Sequence, residues 1–175
     1  MSAHFRSLCW RACFAAGLLG GLYAPTAPAE DLFDGIWELR AADSRYASGE
    51  LPESMTIRLQ PAEQGEYYFS RTVGRNKRVT TAEYTAAYDG HLAMVVGDSG
   101  LLAPVSLRRI DDRTIESTYL RAFHVVARTL RVVSADGLTM TLATTTSEGV
   151  KDAVNVSVFK KRAEVPVRPQ PAQSE

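Results

Sequence analysis

Two arginine side chains lie in apolar, strand-like stretches, where their charge has chemical consequences. Arg109 occupies the same alternating positions as the apolar residues of 105–110, and Arg131 the same positions as the apolar residues of 124–133. If the apolar sets face inward, both arginines do too, because side chains alternate across a strand. A buried guanidinium needs either a protein carboxylate or an anionic ligand group as its partner. Both interpretations stay open. Two further alternatives are that the interior contains water, or that a β-bulge shifts the alternation so that the arginines face outward.

Tyrosines and other large side chains in neighbouring stretches are candidates to line such a site. Tyrosine adds a hydroxyl donor, although on a strand it is more often a packing residue. The candidate ligand-binding residues are Tyr67, Phe69, Tyr84, Met94, Arg109, Tyr119 and Arg131.

The segment 97–100 reads GDSG, which resembles the surroundings of the nucleophile in trypsin-like proteases. A catalytic serine needs a histidine to take its proton and an acid to orient that histidine. Beyond the leader described below the chain has only His91 and His124, and His91 precedes Ser99 by only eight residues. Leu101-Leu102 replaces the usual Gly-Pro continuation. We interpret the segment as a turn and expect no catalytic residues and no enzymatic activity.

Other polar combinations favour structural roles. Two separated histidines without cysteine do not make a metal site, and we expect no metal and no cofactor. Asp111-Asp112 is interpreted as a turn, and the glycosylation sequon at 155–157 as accidental. The basic run 160–162 is interpreted as a solvated strand end rather than an anion or membrane patch. The formal charge of zero argues against nucleic-acid binding.

Residues 1–29 have the pattern of a secretory signal peptide. Arg6 and Arg11 form a basic start, residues 12–23 are an uncharged stretch of twelve, and Ala27-Pro28-Ala29 is a cleavage site of the A-x-A type. Twelve residues are too few for a transmembrane helix, which needs roughly 20. We expect cleavage after Ala29, a secreted or periplasmic protein and no stable membrane anchor; an uncleaved anchor is the alternative.

Removal of this leader leaves 146 residues, which is the length of a single domain, and changes the formal charge from zero to −2. Both cysteines, Cys9 and Cys13, leave with it, so the mature protein has no thiol. Secretion without disulfides favours a bacterial periplasm or exterior. We expect one domain over 30–164 and a disordered, proline-rich tail over 165–175.

The mature domain is predicted to consist of β-strands. Apolar and polar residues alternate over 55–60, and no segment shows a sustained helical period. Residues 80–88 are rich in alanine and a helix is the alternative there, but the alternation of Tyr84, Ala86 and Tyr88 favours a strand. The ten candidate strands are 36–40, 55–60, 66–73, 78–88, 92–97, 105–110, 114–121, 124–133, 139–146 and 154–161.

Turn residues separate these strands. Asp89-Gly90 and Asp136-Gly137 are predicted to form hairpins, and residues 41–54 a long loop with a short helical turn. Successive strands joined by short turns predict an antiparallel, up-and-down β-barrel of eight to ten strands, because closure removes the open sheet edges. An open β-sandwich is the alternative. A barrel of this size is either filled by side chains or holds one small ligand.

Gly35 and Trp37 form a Gly-x-Trp motif that resembles the opening strand of lipocalin and fatty-acid-binding-like barrels. With the motifs at 88–90, 106–111 and 134–137, the chain is similar to small secreted bacterial lipocalin-like proteins. The resemblance implies that Trp37 closes one end of a barrel, under a basic residue from 160–162. The chain departs from lipocalins in lacking their second signature and C-terminal helix, and from fatty-acid-binding proteins in lacking their Arg-x-Tyr clamp.

Two function classes remain. The first is a secreted or periplasmic barrel that binds a small hydrophobic or anionic amphipathic ligand. The second is a non-enzymatic structural or interaction protein of the cell envelope, whose barrel is filled by side chains and whose loops meet an unknown protein partner. The interior distinguishes the two, because a ligand carrier needs a cavity and a structural protein does not.

Overall fold

A computed structural model describes residues 31–47, 50–98, 103–147 and 153–163, which form an all-β structure. The predicted signal peptide over 1–29 and the predicted tail over 165–175 lie outside the described residues. The ten predicted stretches correspond to eleven strands among the described residues, because 92–97 is divided between β5 and β6. The strands are β1 (Gly35–Leu39), β2 (Ser54–Ala62), β3 (Gly65–Val73), β4 (Val79–Ala87), β5 (Asp89–Ala93), β6 (Val96–Gly97), β7 (Val105–Asp111), β8 (Thr114–Arg121), β9 (His124–Val133), β10 (Thr139–Thr146) and β11 (Ala153–Lys161).

The alanine-rich stretch 80–88 is a strand, as its alternation predicts, and forms most of β4. The loop after β1 contains one 3-10 turn at Ala41–Asp43, also as predicted. Among the described residues no helix is long and apolar enough to cross a membrane.

All the strands belong to one antiparallel sheet, in the order β5-β7-β8-β9-β10-β11-β1-β2-β3-β4-β6. β1 pairs with both β11 and β2, so the first and last strands lie side by side in the middle of the sheet. The sheet is curled as a half-barrel. Its two ends approach each other through side chains, since Tyr84 and Ala86 of β4 pack in one buried cluster with Val105 and Leu107 of β7.

The predicted hairpin at Asp89-Gly90 is wrong. β5 begins at Asp89 but pairs with β7, and β4 instead pairs with β3 and β6. The amide of Tyr88 donates to the carbonyl of Gln64, and the Asp89 carboxylate accepts from the amide of His91. The Asp-Gly pair therefore carries the chain from one end of the sheet to the other, and it does not close a two-stranded ladder.

The hairpin predicted at Asp136-Gly137 is confirmed and joins β9 to β10. The amide of Ser134 donates to the carbonyl of Thr139 over 2.8 Å. Gly137 has φ +70°, in the left-handed region that favours glycine.

The main apolar core lies at one end of the concave face, which we call the Trp37 end. The segment that precedes β1 covers this end, and the indole Nε1 of Trp37 donates to the carbonyl of Phe33 over 2.8 Å. The opposite end of the concave face is called the loop end, because it carries the connections after β1, β3 and β8. The buried residues of this core are Phe33, Trp37, Ile57, Leu59, Ile115, Val133, Met140 and Phe159.

Candidate ligand-binding site

A cavity of about 200 Å³ lies on the concave face, between the apolar core and the loop end. Most of its lining residues carry a hydroxyl group, and one carries a charge. The hydroxyl-bearing residues are Tyr46, Tyr68, Ser70, Thr72, Tyr84, Ser117, Tyr119, Thr129, Thr144 and Ser157. The others are Met55, Ala82, Val95, Arg131 and Leu142.

The cavity exists because the inward positions of the strands become small and polar toward the loop end. On β9 the buried residue is Val133 at the Trp37 end and Thr129 at the cavity. On β11 the corresponding change is from Phe159 to Ser157. Protein interiors are close-packed, so replacing large side chains by small ones leaves space unless neighbours collapse into it.

Arg131 is the charged residue that lines the cavity, and its side chain is only 3% exposed. Its Nη2 lies 2.5 Å from Oε1 of Glu66, whose side chain is also 3% exposed. The Nε and Nη1 atoms of Arg131 are buried and have no hydrogen-bond partner among the described residues. A buried donor left unpaired costs about 1–3 kcal/mol, so these atoms mark a place where an acceptor is missing.

Glu66 has both of its carboxylate oxygens occupied. Oε1 accepts from Arg131 and from the hydroxyl of Tyr84 at 3.1 Å, and Oε2 accepts from the hydroxyl of Tyr88 at 3.0 Å. Burial lowers the pKa of Arg131, but the charge and the hydrogen bond of Glu66 act in the opposite direction and the pKa is raised overall. Burial also raises the pKa of Tyr84 and of Tyr119, so both hydroxyls keep their protons at neutral pH.

A second, half-buried ion pair lies beside the first, at the Phe33 ring. Nη2 of Arg109 lies 2.7 Å from Oδ1 of Asp31. The Phe33 ring is flanked by both guanidiniums, with centroid distances of 5.4 Å to Arg109 and 5.3 Å to Arg131. The structure thus brings the two predicted arginines together around one aromatic ring, but Arg109 does not line the cavity.

Three of the predicted ligand-binding residues, Tyr84, Tyr119 and Arg131, line the cavity. Tyr67 and Phe69 of β3 were also predicted to line the site, and this prediction is wrong. The lining residues of β3 include Tyr68 and Ser70, which lie on the opposite face of the strand. Tyr67 instead donates its hydroxyl to Glu83 of β4, over 2.8 Å.

The expectation of Met94 as a lining residue is also corrected. Met94 is 69% exposed and lies in the connection between β5 and β6, outside the cavity. A residue between two strands has no fixed phase, so the alternation of its neighbours does not predict the direction of its side chain.

Sequence reasoning missed Glu66, which is the partner of Arg131. Glu66 has the same phase on β3 as Tyr68 and Ser70, but the consecutive aromatics at 67–69 give this strand no preferred phase. The register between distant strands is needed to identify Glu66 as the partner of Arg131.

Gly35 and Trp37 lie at the end of the sheet that the apolar core fills. Trp37 is fully buried, and Nζ of Lys161 lies 5.4 Å from its ring centroid. Gly35 has φ +121°, and a Cβ atom there would lie 2.9 Å from Cε of Lys161. Of the three basic residues considered, Lys161 is the one over the indole, whereas Lys160 donates to Thr139.

The remaining motifs make local structural contacts. The Asp98 carboxylate of the GDSG segment accepts from the amide of Thr81, and Ser99 lies outside the described residues. His91 pairs with Asp89 and is largely exposed. The Asn155 side chain accepts from the amide of Ala47. In the described ranges no group of three or more histidine, cysteine or acidic residues is placed to hold a metal ion.

No protein-family model matches this chain, and no curated protein matches it significantly.

Proposed function

We propose that this is a secreted or periplasmic, non-enzymatic protein whose lipocalin-like barrel binds one small amphipathic molecule. The observation that supports this most is the cavity of about 200 Å³, lined by tyrosine rings and hydroxyl groups and bordered by the buried, incompletely paired Arg131. Concave sites with apolar walls and a few convergent polar groups are typical of small-molecule binding.

The volume restricts the part of a ligand that the protein can enclose. An apolar cavity of about 150 Å³ is enough for benzene, whereas pockets for drug-sized molecules have about 300–1,000 Å³. The cavity here has about 200 Å³, which suits a molecule with a single ring and a few substituents. An extended lipid chain is too large to be enclosed.

The walls favour an amphipathic molecule. Tyr68 and Tyr84 stack with ring centroids 4.7 Å apart and an interplanar angle of 2°, and Met55 and Leu142 add aliphatic surface. The hydroxyl groups and Arg131 supply the polar contacts. A flat apolar body with one polar end matches both kinds of surface.

The experiment is a pair of leucine substitutions on adjacent residues of β8. Ser117→Leu replaces a small side chain by an isobutyl group inside the cavity. Thr118→Leu places the same isobutyl group on the opposite face of the same strand. Residues 30–175 are titrated with a panel of single-ring compounds, and binding is followed by amide NMR shifts. We expect wild type and Thr118→Leu to bind and Ser117→Leu to lose binding while keeping the same circular dichroism spectrum. Equal binding by all three proteins would contradict the proposal.

The second candidate function, an interaction module of the cell envelope, has one observation in its favour. Phe123 is 93% exposed, and Val96 is 61% exposed. Ala122 and Phe123 both have positive φ, at 48° and 66°, which is an unfavourable backbone for such residues. Chemical crosslinking in the periplasm, compared between wild type and Phe123→Ser, tests this function, and recovery of monomer alone from both proteins would count against it.

A further inference from the structure

Arg131 determines the charge that the cavity presents to a ligand. It is the one charged group among the described lining residues. The neighbouring carboxylates are directed elsewhere, because Glu66 accepts from protein donors on both oxygens and Asp31 pairs with Arg109. Arg131 is therefore the charged side chain that borders a molecule in the cavity, with no carboxylate among the described lining residues.

The hydroxyl groups around the cavity are largely paired with one another or with the protein. Thr129 and Thr144 share a hydrogen bond of 2.9 Å between their hydroxyls. The hydroxyl of Tyr46 and that of Ser157 are 2.8 Å apart. The hydroxyl of Tyr84 donates to Glu66. Arg131 keeps two buried donors, Nε and Nη1, without an acceptor among the described residues; the neighbouring Arg109, which does not line the cavity, keeps one, Nε.

We propose that the ligand is a small carboxylate, about one ring in size, whose carboxylate group accepts hydrogen bonds from the guanidinium of Arg131. This inference rests on the proposed function and gives its ligand a chemical class. A guanidinium donates only, and its hydrogen bonds to ionised acceptors are about twice as strong as those between neutral groups. The ring of the ligand then lies among Tyr68, Tyr119 and Leu142, which border the same cavity.

The test compares carboxylates with amides of the same shape. Benzoate, 4-hydroxybenzoate and phenylacetate are each titrated against the corresponding amide, at pH 7 and with chloride held constant. Each pair has the same ring and a carbonyl acceptor, and differs in charge. We expect the carboxylates to bind about tenfold tighter than the amides or more, as charge-assisted hydrogen bonds predict.

Two double variants provide the matched comparison. Arg131→Gln with Glu66→Gln removes the cavity pair as a whole, so that no buried charge is left alone. Arg109→Gln with Asp31→Asn removes the neighbouring pair, which does not line the cavity. We expect the first variant to bind carboxylates and amides equally, and the second to keep the preference for carboxylates. A preference that survives in the first variant would overturn the inference.

The outcomes separate this inference from the proposed function. Failure of every compound to shift any cavity resonance would overturn the proposed function. If amides bind as tightly as carboxylates, the proposed function is still supported, but the inference that the ligand is a carboxylate is overturned. If the first double variant does not fold, the Nε–H resonance of Arg131 in wild type decides, because it must shift with benzoate and not with benzamide. Displacement of benzoate by millimolar phosphate would indicate a general anion site and would also overturn the inference.

Discussion

The two halves of the concave face share the strands β2, β8, β9, β10 and β11 but are built from different residue types. On β10, Met140 is fully buried in the apolar core, while Thr144, four residues further along the strand, borders the cavity. On β8 the same change runs from Ile115 to Ser117. A continuous backbone ladder thus supports a tightly packed half and a half with space. The strand fixes the position of each side chain, and the choice of side chain decides whether it packs or binds.

The boundary between the halves is charged. Glu66 and Arg131 form an ion pair with both side chains 3% exposed, beside the pair of Arg109 with Asp31. Buried pairs often add little stability compared with apolar replacements, because desolvation offsets the attraction. The pair between Glu66 and Arg131 is better explained by what it presents to the cavity than by what it adds to the free energy of unfolding.

The largest loss of stability is expected from removing one partner of the ion pair between Glu66 and Arg131. Glu66→Ala leaves the Arg131 charge buried without its carboxylate, and removal of one partner of such a pair costs about 3–5 kcal/mol. Urea unfolding followed by circular dichroism measures the loss. The double variant Glu66→Gln with Arg131→Gln is expected to recover a large part of it. If Glu66→Ala is as stable as wild type, the pair is not buried in solution.

The next prediction compares the halves on one strand. Met140→Ala creates a void in the apolar core and is expected to cost about 2–5 kcal/mol. Thr144→Ala removes a hydroxyl that borders an existing cavity and is expected to cost about 1 kcal/mol. Thermal and urea unfolding of the two variants give the difference. Equal losses would mean that the cavity half is packed like the core.

A smaller effect is expected at the Trp37 end from Gly35→Ala. The added methyl group has to be accommodated at φ +121° and 2.9 Å from Cε of Lys161. Backbone strain of this kind costs on the order of 1–3 kcal/mol. The variant should unfold at lower urea concentration and bind cavity ligands normally, since Gly35 does not border the cavity. Loss of ligand affinity at unchanged stability would contradict this assignment.

The smallest changes in stability are expected from substitutions in turns at the two ends of the sheet. At the Trp37 end the left-handed position is filled by Gly137, whereas at the loop end Phe123 has φ +66°. Phe123→Gly is expected to stabilise the protein by about 1 kcal/mol, because glycine adopts this conformation without strain. Gly137→Ala is expected to destabilise it by about the same amount. A destabilising Phe123→Gly would show that the ring makes stabilising contacts despite its exposure.

The sequence predicted the strands because side chains alternate across a half-buried sheet with a period of two. The same alternation identified Arg131 as inward-facing, which the structure confirms through its burial. It failed on β3, where Tyr67, Tyr68 and Phe69 are consecutive aromatics, so the pattern has no preferred phase. It also failed at Asp89-Gly90, because a local turn signal holds no information about which distant strand, here β7, completes the pairing.

The carboxylate partners of Arg131 and Arg109 illustrate what local patterns omit. Glu66 is separated from Arg131 by 65 residues, and Asp31 from Arg109 by 78. Each carboxylate is recognisable as unusual only once the register between distant strands is known. The cavity depends on the same information, because its lining combines residues from seven strands, the loop after β1 and the connection between β5 and β6.

The most direct test of the account is an amide NMR titration of residues 30–175 with benzoate. The account predicts shifts at Ser117, Thr129 and Ser157, which border the cavity, and little change at Trp37 or Met140 in the apolar core. It also predicts that these shifts disappear in Ser117→Leu. Shifts confined to the exposed loop end around Phe123, or no shift with benzoate or any other single-ring compound, would contradict the claim that the cavity half is a binding site.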